Sequence, residues 1–410
     1  MINLQLDNFY PESIEGFLTE LNIKNYKEGI IDYKGKQVLV LFLEDPLFGK
    51  AMKLFDLIDK HNNLDGVILY NPSEVIDLTI VKLFYHVCKK KKIDHIAIHD
   101  PRFYEGNEIN FSYGDSNVQV PIITNTVLGL IISNTLDENN LEDHNTHDIN
   151  WKILNAKKEE NNIRHDKLYY YLRHDALPPQ ERDVLFTCYN RQPRTNRVLL
   201  VNEICRQGLK DKGVISCGYH EANFKYYKDI VDKEFLHLFP MQLEDDYVYS
   251  NAITNDTVCN QSITQEQLKS FINVVSESSS DCNILPTVDG WKTKFLTEKT
   301  AKAFICFNIP LFYSTLGFVE DLRNIGFDVY DDFIDHSYDK EINPIRRVEM
   351  ITKELKRLTD LSVSELQDII EGLTHRMQSN RTNLLHYIND LDIKKCKGFK
   401  NYFDGLASNK

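Results

Sequence analysis

The chain lacks most of the short patterns that announce a chemistry. None of its 8 cysteines forms a CxxC pair. That spacing argues against a zinc ribbon or a redox dithiol, and leaves buried reduced thiols as the expectation for Cys88, Cys188, Cys205, Cys217, Cys259, Cys282, Cys306 and Cys396. There is no Walker A sequence, no GxSxG elbow, no HExxH and no GxGxxG after a strand. P-loop ATP hydrolysis, serine hydrolysis and dinucleotide redox chemistry therefore lose ground, as does an epimerase that needs a dinucleotide loop. No run approaches the roughly 20 apolar residues that span a bilayer. The opening MINLQLDNFYPES has no basic start followed by an apolar core, so no signal peptide is expected and the expected location is the cytoplasm. Net positive charge is also missing. The formal charge of -13 argues against nucleic-acid binding over the whole surface, while a local basic groove is compatible with it. The basic run Lys89-Lys90-Lys91-Lys92 is explained by a solvated helix end at least as well as by a phosphate track.

What is present is an alternation of buried strands and amphipathic helices, in a chain of 410 residues that is too long for one core. Continuous apolar runs at residues 37–43, 66–70 and 95–99 predict buried parallel strands, with helices over about 47–61 and 73–90 between them. This β-α-β-α-β order predicts a right-handed parallel sheet with helices on both faces. Residues 111–125 add one or two strands, and a helix follows at about 126–134. A polar stretch over 137–162 and Pro178-Pro179 mark a boundary. The alternation restarts with strands at 184–189, 214–217, 271–275 and 309–313. Helices are expected at about 195–208, stopped by Gly208, from Thr297, and from Gly317 to Asn324. From Pro344 onward the periodicity is helical throughout. The expected architecture is α/β: two facing Rossmann-like domains, residues 1–176 and 177–343, and a helical tail over 344–410 that packs back on them.

Open α/β sheets bind ligands at the carboxyl ends of their strands. In the first half this rule selects Glu44, Asp45, Asn71, His99 and Asp100; in the second it selects Asn190, Arg191, Arg194, Glu277 and Ser278. Asn190 to Arg197 is a strand-to-helix turn carrying Arg191, Arg194 and Arg197. Arginine opposes the dipole at a helix start, and a bound phosphate would reverse that penalty; the alternative is solvated charge. Glu277 ends an apolar strand, where a carboxylate needs a partner: a ligand hydroxyl, or a basic residue of the same domain. Thr297 suits an N-cap and Glu298 suits the helix dipole, whereas Lys299 does not and favours a phosphate partner. Asp45 and Asp100 are the candidate catalytic bases, able to deprotonate an acceptor hydroxyl, with helix capping as the competing role for each. His99 is a lesser candidate. Metal signals are poor: the DxD triplet at Asp390 lies in the helical tail, and Asp331, Asp332 and Asp335 suit a surface.

At these residues a family resemblance emerges. Glu277-Ser278-Ser279, Phe295-Leu296-Thr297-Glu298-Lys299 and Ile309-Pro310-Leu311-Phe312-Tyr313 resemble the donor-binding signature of the α1,3-fucosyltransferases, in which a strand ends in F-E-N-S and is followed by Y-V-T-E-K, a helix and V-P-V-V-L-G. The block through Asp339, and the turn at Asn190, are also similar to predicted glycosyltransferases of large tailed bacteriophages. The resemblance implies a two-domain GT-B fold and metal-independent transfer, with no cofactor beyond a nucleotide-diphosphate sugar held by the second domain. By that match Glu277 and Glu298 contact the sugar or ribose, Lys299 the diphosphate, and an arginine of the 191–197 turn the phosphates. The chain departs from the signature at Ser278, in place of asparagine, at Lys302-Ala303, in place of Arg-Asn, and at Ser314, in place of glycine.

The expectation is a glycosyltransferase acting on a glycan or, in a phage-infected host cytoplasm, on a hydroxymethylated DNA base that must be flipped out. Its competitor is a non-catalytic virion or host-binding protein on a degenerate transferase fold. The sequence carries no signal for oligomeric state.

Overall fold

The computed structural model describes residues 28–43, 48–61, 63–70, 76, 78–100, 108–113, 116–124, 166–167, 178, 181–190, 193–218, 229–241, 262–277 and 296–408. The chain divides into two compact units, residues 1–130 with 388–410, and residues 131–387. Each is built on a sheet whose inner strands run parallel.

The first unit contains β1 (Glu28–Tyr33), β2 (Lys36–Phe42), α1 (Phe48–Lys60), β3 (Gly66–Tyr70), α2 (Leu78–Lys90), β4 (His95–Asp100), β5 (Glu108–Tyr113) and β6 (Ser116–Thr124). The sheet order is β1-β2-β3-β4-β6-β5. Strands β2, β3, β4 and β6 are parallel, and β1 and β5 extend the edges as antiparallel hairpin partners. Every residue of β3 is buried, which is why it reads as an unbroken apolar run rather than an alternating one. Between β1 and β2, Lys34 and Gly35 both take positive φ, 53° and 75°. That is the type I′ geometry whose twist matches a two-residue hairpin. The Asp32 carboxylate accepts the Gly35 N–H at 3.0 Å.

Helices α1 and α2 pack on each other through Phe55 and Phe84, ring centroids 5.6 Å apart. One face of the sheet, including Val38, Val40, Phe42, Ile68, Tyr70, Ala97 and Ile123, is covered by Phe399, Tyr402, Phe403 and Leu406 of the chain's last helix (Val363–Ser408). These four sit at i, i+3, i+4 and i+7, a single helical stripe. On that helix, a Cβ at Gly398 would lie 3.3 Å from Ile123 and one at Gly405 would lie 3.2 Å from the His95 ring. The two glycines, a heptad apart, let the helix backbone ride close to the strands. Tyr402 lies over the start of β3, where a Cβ on Gly66 would overlap its hydroxyl.

The second unit contains β7 (Asp166–Lys167), β8 (Val184–Asn190), α3 (Thr195–Arg206), β9 (Gly213–Cys217), β10 (Ser262–Ile263), α4 (Gln265–Lys269), β11 (Ser270–Ser276), α5 (Glu298–Ile305), β12 (Ile309–Tyr313), α6 (Phe318–Asn324), α7 (Pro344–Thr359) and the first part of α8 (Val363–Ser408). Residues 344–387 of the expected helical tail belong to this unit and residues 388–410 to the first. Strands β12-β11-β8-β9 form a four-stranded parallel sheet, and β7 pairs with β10. Pro310 lies in β12, an edge strand, where a missing N–H is tolerated. Helix α3 stops at Gly208 as expected, with φ +68°. The Gly208 N–H donates to Cys205 O at 2.9 Å and the Leu209 N–H to Ile204 O at 3.1 Å, the Schellman arrangement.

The amino-terminal edge of this sheet is tied down internally. The Arg182 guanidinium donates to the carbonyls of Ser270 and, at 3.0 Å, Cys306; burial pulls its pKa down to about 10. Asn308 Nδ2 donates to Ser270 O at 2.7 Å. Thr264 and Gln267 close α4 with a reciprocal capping box. The polar side chains of the opposite, carboxyl-terminal edge have different duties.

Candidate functional site

Three helices of the second unit, α3, α5 and α6, follow strands β8, β11 and β12 out of the carboxyl-terminal edge of its sheet. A helix start exposes N–H groups and a partial positive charge, so each is a potential anion site unless something already fills it.

Helix α6 is filled from within. Its N-cap, Gly317, has φ +77° and no side chain. The cap arrives from further along the chain: the Asp339 carboxylate accepts the N–H groups of Val319 at 3.0 Å and Glu320 at 3.1 Å. Burial raises the Asp339 pKa, and these two bonds oppose that rise. The segment holding Asp339 is braced by a chain of hydrogen bonds through His336. The Phe312 N–H donates to Tyr338 Oη at 3.2 Å. The Tyr338 hydroxyl meets His336 Nδ1 at 2.7 Å, and His336 Nε2 meets Val329 O at 2.8 Å. A carbonyl can only accept, so Nε2 carries the proton and Nδ1 accepts from tyrosine. Burial lowers the His336 pKa, in keeping with that neutral ring.

Helix α5 is also capped. Thr297 Oγ1 accepts the Lys299 N–H at 3.2 Å, the N-cap that its residue type predicts. Glu277 is fully buried at the end of β11. Its carboxylate accepts from Thr297 Oγ1 at 2.6 Å, Thr300 Oγ1 at 2.6 Å and the Thr297 N–H at 3.3 Å. The partners of Glu277 thus include two hydroxyls and an amide of the next helix. Lys299 is half-buried, with Nζ 3.3 Å from Thr297 Oγ1.

Helix α3 differs from both. Its N-cap is Arg194, extended at φ −79° and ψ 155°, with no side-chain cap. Arg197, in its first turn, is 4 % exposed. Its charge acts on Cys188 and Cys217, whose thiols burial pushes up to about 12 against that influence. Arg197 therefore lies near the ends of β8 and β9, which carry these two thiols.

A row of small polar side chains lines the same edge. The Asn190 N–H donates to Ser216 Oγ at 3.1 Å and Asn190 Nδ2 to Cys188 Sγ at 3.3 Å. Asn190 Oδ1 and Ser276 Oγ, both buried, have no hydrogen-bond partner among the described residues. The parallel register pairs Asn273 with Thr187; carried three residues along, it sets Ser276 beside Asn190 on one face. Sequence reasoning selected Asn190 by its place at a strand end and missed Ser276, one residue short of the Glu277 it did select.

Asp45, Arg191 and Ser278 lie outside the described residues, as do the side chains of Asp100 and Glu298. Asp100 ends β4 and Glu298 opens α5. Lys302 is half-buried in α5. His99 is fully buried, its ring 4.2 Å from Tyr70 and 5.8 Å from Phe399. Asp331 pairs with Arg323, and Asp328 and Asp332 with Arg376, so much of this acidic run finds arginine partners within its own unit. Lys89 pairs with Asp94 and Lys91 with Asp59. Among the described residues no group of three His, Cys, Asp or Glu could hold a metal ion, and no helix is long and apolar enough to cross a membrane.

No family model matches the chain, and no curated protein matches it. A solved structure of trehalose-6-phosphate from E. coli bound with UDP-2-fluoro glucose aligns with 88% of this chain and 77% of that chain, at a TM-score of 0.38 and 9% identity. A likeness of that depth carries no argument about activity.

Proposed function

We propose that the chain is a glycosyltransferase of the GT-B type, moving a sugar from a nucleotide-diphosphate sugar to an acceptor hydroxyl. The observation that carries this reading is helix α3. Of the three helices leaving the carboxyl-terminal edge of the second sheet, α5 and α6 have side-chain caps in Thr297 and Asp339, whereas α3 has an arginine, Arg194, at its N-cap position, whose side chain makes no cap, and a second, Arg197, in its first turn. A helix start with guanidinium groups beside it suits a diphosphate, which arginine grips through paired N–H donors. The resemblance of residues 295–339 to fucosyltransferase and phage transferase signatures supports the same edge as the donor side.

In this reading Asn190, Arg191, Arg194, Arg197, Lys299 and Lys302 surround the donor, and the fixed cations stabilise the departing diphosphate. Glu298, Ser278 and Thr297 border the sugar or ribose. Asp45 or Asp100 takes the proton of the attacking hydroxyl. Transfer is metal-independent, the charge being met by arginine and lysine. The acceptor is a glycan or a hydroxymethylated DNA base. Glu277, which the resemblance sets against the sugar or ribose, would act through α5 by its bonds to Thr297 and Thr300.

The test is a panel of nucleotide sugars. Donor hydrolysis, or a thermal shift that depends on the donor and is lost in Arg194→Ala, supports the enzyme. Silence across the panel, with Arg194→Ala indistinguishable from the parent, supports a non-catalytic binding protein.

A further inference from the structure

Two buried side chains at the same edge each carry a polar atom that the fold itself does not pair. Asn190 is 0% exposed and Ser276 is 1% exposed, and among the described residues Asn190 Oδ1 and Ser276 Oγ have no hydrogen-bond partner. Native chains seldom leave such atoms unpaired, because each loses its water on burial and gains nothing in return. Two on adjacent strands, on one face and beside the start of α3, form a small complementary element. An amide oxygen accepts, and a serine hydroxyl both donates and accepts.

We propose that Asn190 and Ser276 read a hydroxyl group of the nucleotide-sugar donor, a role that rests on the reading of this edge as the donor site. The chemistry excludes other groups. A phosphate oxygen only accepts, so it would leave Asn190 Oδ1 unpaired. An ammonium would donate to both, but it would stand beside the buried Arg197, whose charge reaches the neighbouring thiols of Cys188 and Cys217. A hydroxyl donates to the asparagine oxygen, accepts from the serine and carries no charge. The anionic part of the donor lies over α3, and its neutral, hydroxyl-bearing part lies over the ends of β8 and β11. The hydroxyl belongs to the ribose or to the sugar, and the two sources are separable by experiment.

Binding of UDP-glucose and GDP-fucose, of their 2′-deoxyribose and 3′-deoxyribose analogues, and of analogues lacking single sugar hydroxyls is measured by calorimetry on the full chain. The proteins are the parent, Ser276→Ala and Asn190→Leu. The expected result is a loss of about tenfold or more when the read hydroxyl is absent, as for sites built around one hydroxyl, and no further loss when the same analogue meets Ser276→Ala. A ribose hydroxyl gives this pattern with the deoxyribose analogues, a sugar hydroxyl with the deoxysugar analogues. Ser276→Ala itself is expected to melt at or above the parent temperature, because it deletes a group that has no partner in the empty protein. A lower melting temperature, or donor affinity equal in all three proteins, overturns the proposal while leaving the transferase reading in place; a bridging water found on the pair in the donor complex does the same. If neither nucleotide sugar binds the parent, the donor reading fails, and this proposal with it.

Discussion

Replacing Glu277 separates a brace from a substrate contact. In Glu277→Ala the carboxylate that joins the end of β11 to α5 is gone, and the hydroxyls of Thr297 and Thr300 lose an acceptor at 2.6 Å each. The third bond, from the Thr297 N–H, is long at 3.3 Å and counts for little. Hydrogen bonds to a charged group contribute about 1.5–3 kcal/mol each. The two short ones therefore set an expected cost of about 3–5 kcal/mol, allowing for partial recovery as the hydroxyls turn. For a unit of this size, 1 kcal/mol lowers the melting temperature by roughly 2–4 °C, so the shift is on the order of 10 °C. Glu277→Gln keeps the volume and one oxygen. Its amide must face a threonine hydroxyl that then has no acceptor for its own proton, and about half the cost is expected. The assay is thermal melting with amide hydrogen exchange. The Lys299 amide, which donates to Thr297 Oγ1, is the reporter and exchanges faster in both variants. A Glu277→Ala protein that melts within 2 °C of the parent with unchanged exchange at α5, yet loses donor binding, would refute the reasoning and return Glu277 to the ligand.

Arg194→Ala is expected to weaken donor binding about tenfold or more, since one charged hydrogen bond to phosphate is lost; calorimetry checks it. His336 predicts a pH dependence. Its folded pKa is lowered by burial, so the unfolded chain binds more protons below about pH 6.5, and stability falls as pH drops through that value, by at most about 1.4 kcal/mol per pH unit. His336→Gln melts lower at pH 7.5 and shows a flatter profile between pH 7 and 5. Asp339, whose pKa burial raises, acts with the opposite sign in a more acidic window: its contribution is full below the ordinary carboxylate pKa and declines as pH rises past it. Gly66→Ala places a methyl group against the Tyr402 hydroxyl and is expected to cost about 1–3 kcal/mol as overpacking. Tyr402→Phe removes the obstructing oxygen, so the double variant recovers part of that loss in a chemical melt, the His95 carbonyl still standing 3.1 Å from the added methyl.

Much of the fold was legible because buried parallel strands must be apolar on both faces. The runs expected at 66–70 and 309–313 coincide with β3 and β12, and the one at 37–43 with β2 to within a residue. Local chemistry was legible too: Thr297 as a cap and Gly208 as a stop are fixed by their immediate neighbours. Edge strand β1 escaped notice because its six residues carry acids at both ends of a short apolar centre. The partners of Glu277 and of the α6 start escaped for another reason. Threonine hydroxyls 20 and 23 residues away, and an aspartate 20 residues beyond the Val319 amide it caps, leave no periodicity or spacing that a sequence displays. Strand-end position identified Asn190, but only three-dimensional register sets Ser276 beside it.

The aromatic stripe of Phe399, Tyr402 and Phe403 has a consequence for biosynthesis. Chains fold largely in the order in which they are made. The sheet of the first unit is translated early, yet the side chains that dry one of its faces come from residues 388–410. Ile31, Tyr33, Val40 and Phe42 must wait, solvent-exposed or guarded by a chaperone, until Phe399 to Leu406 have been synthesised. A ribosome stalled shortly before residue 388 therefore presents a protease-sensitive first unit, and release of the last segment is the step that makes it resistant.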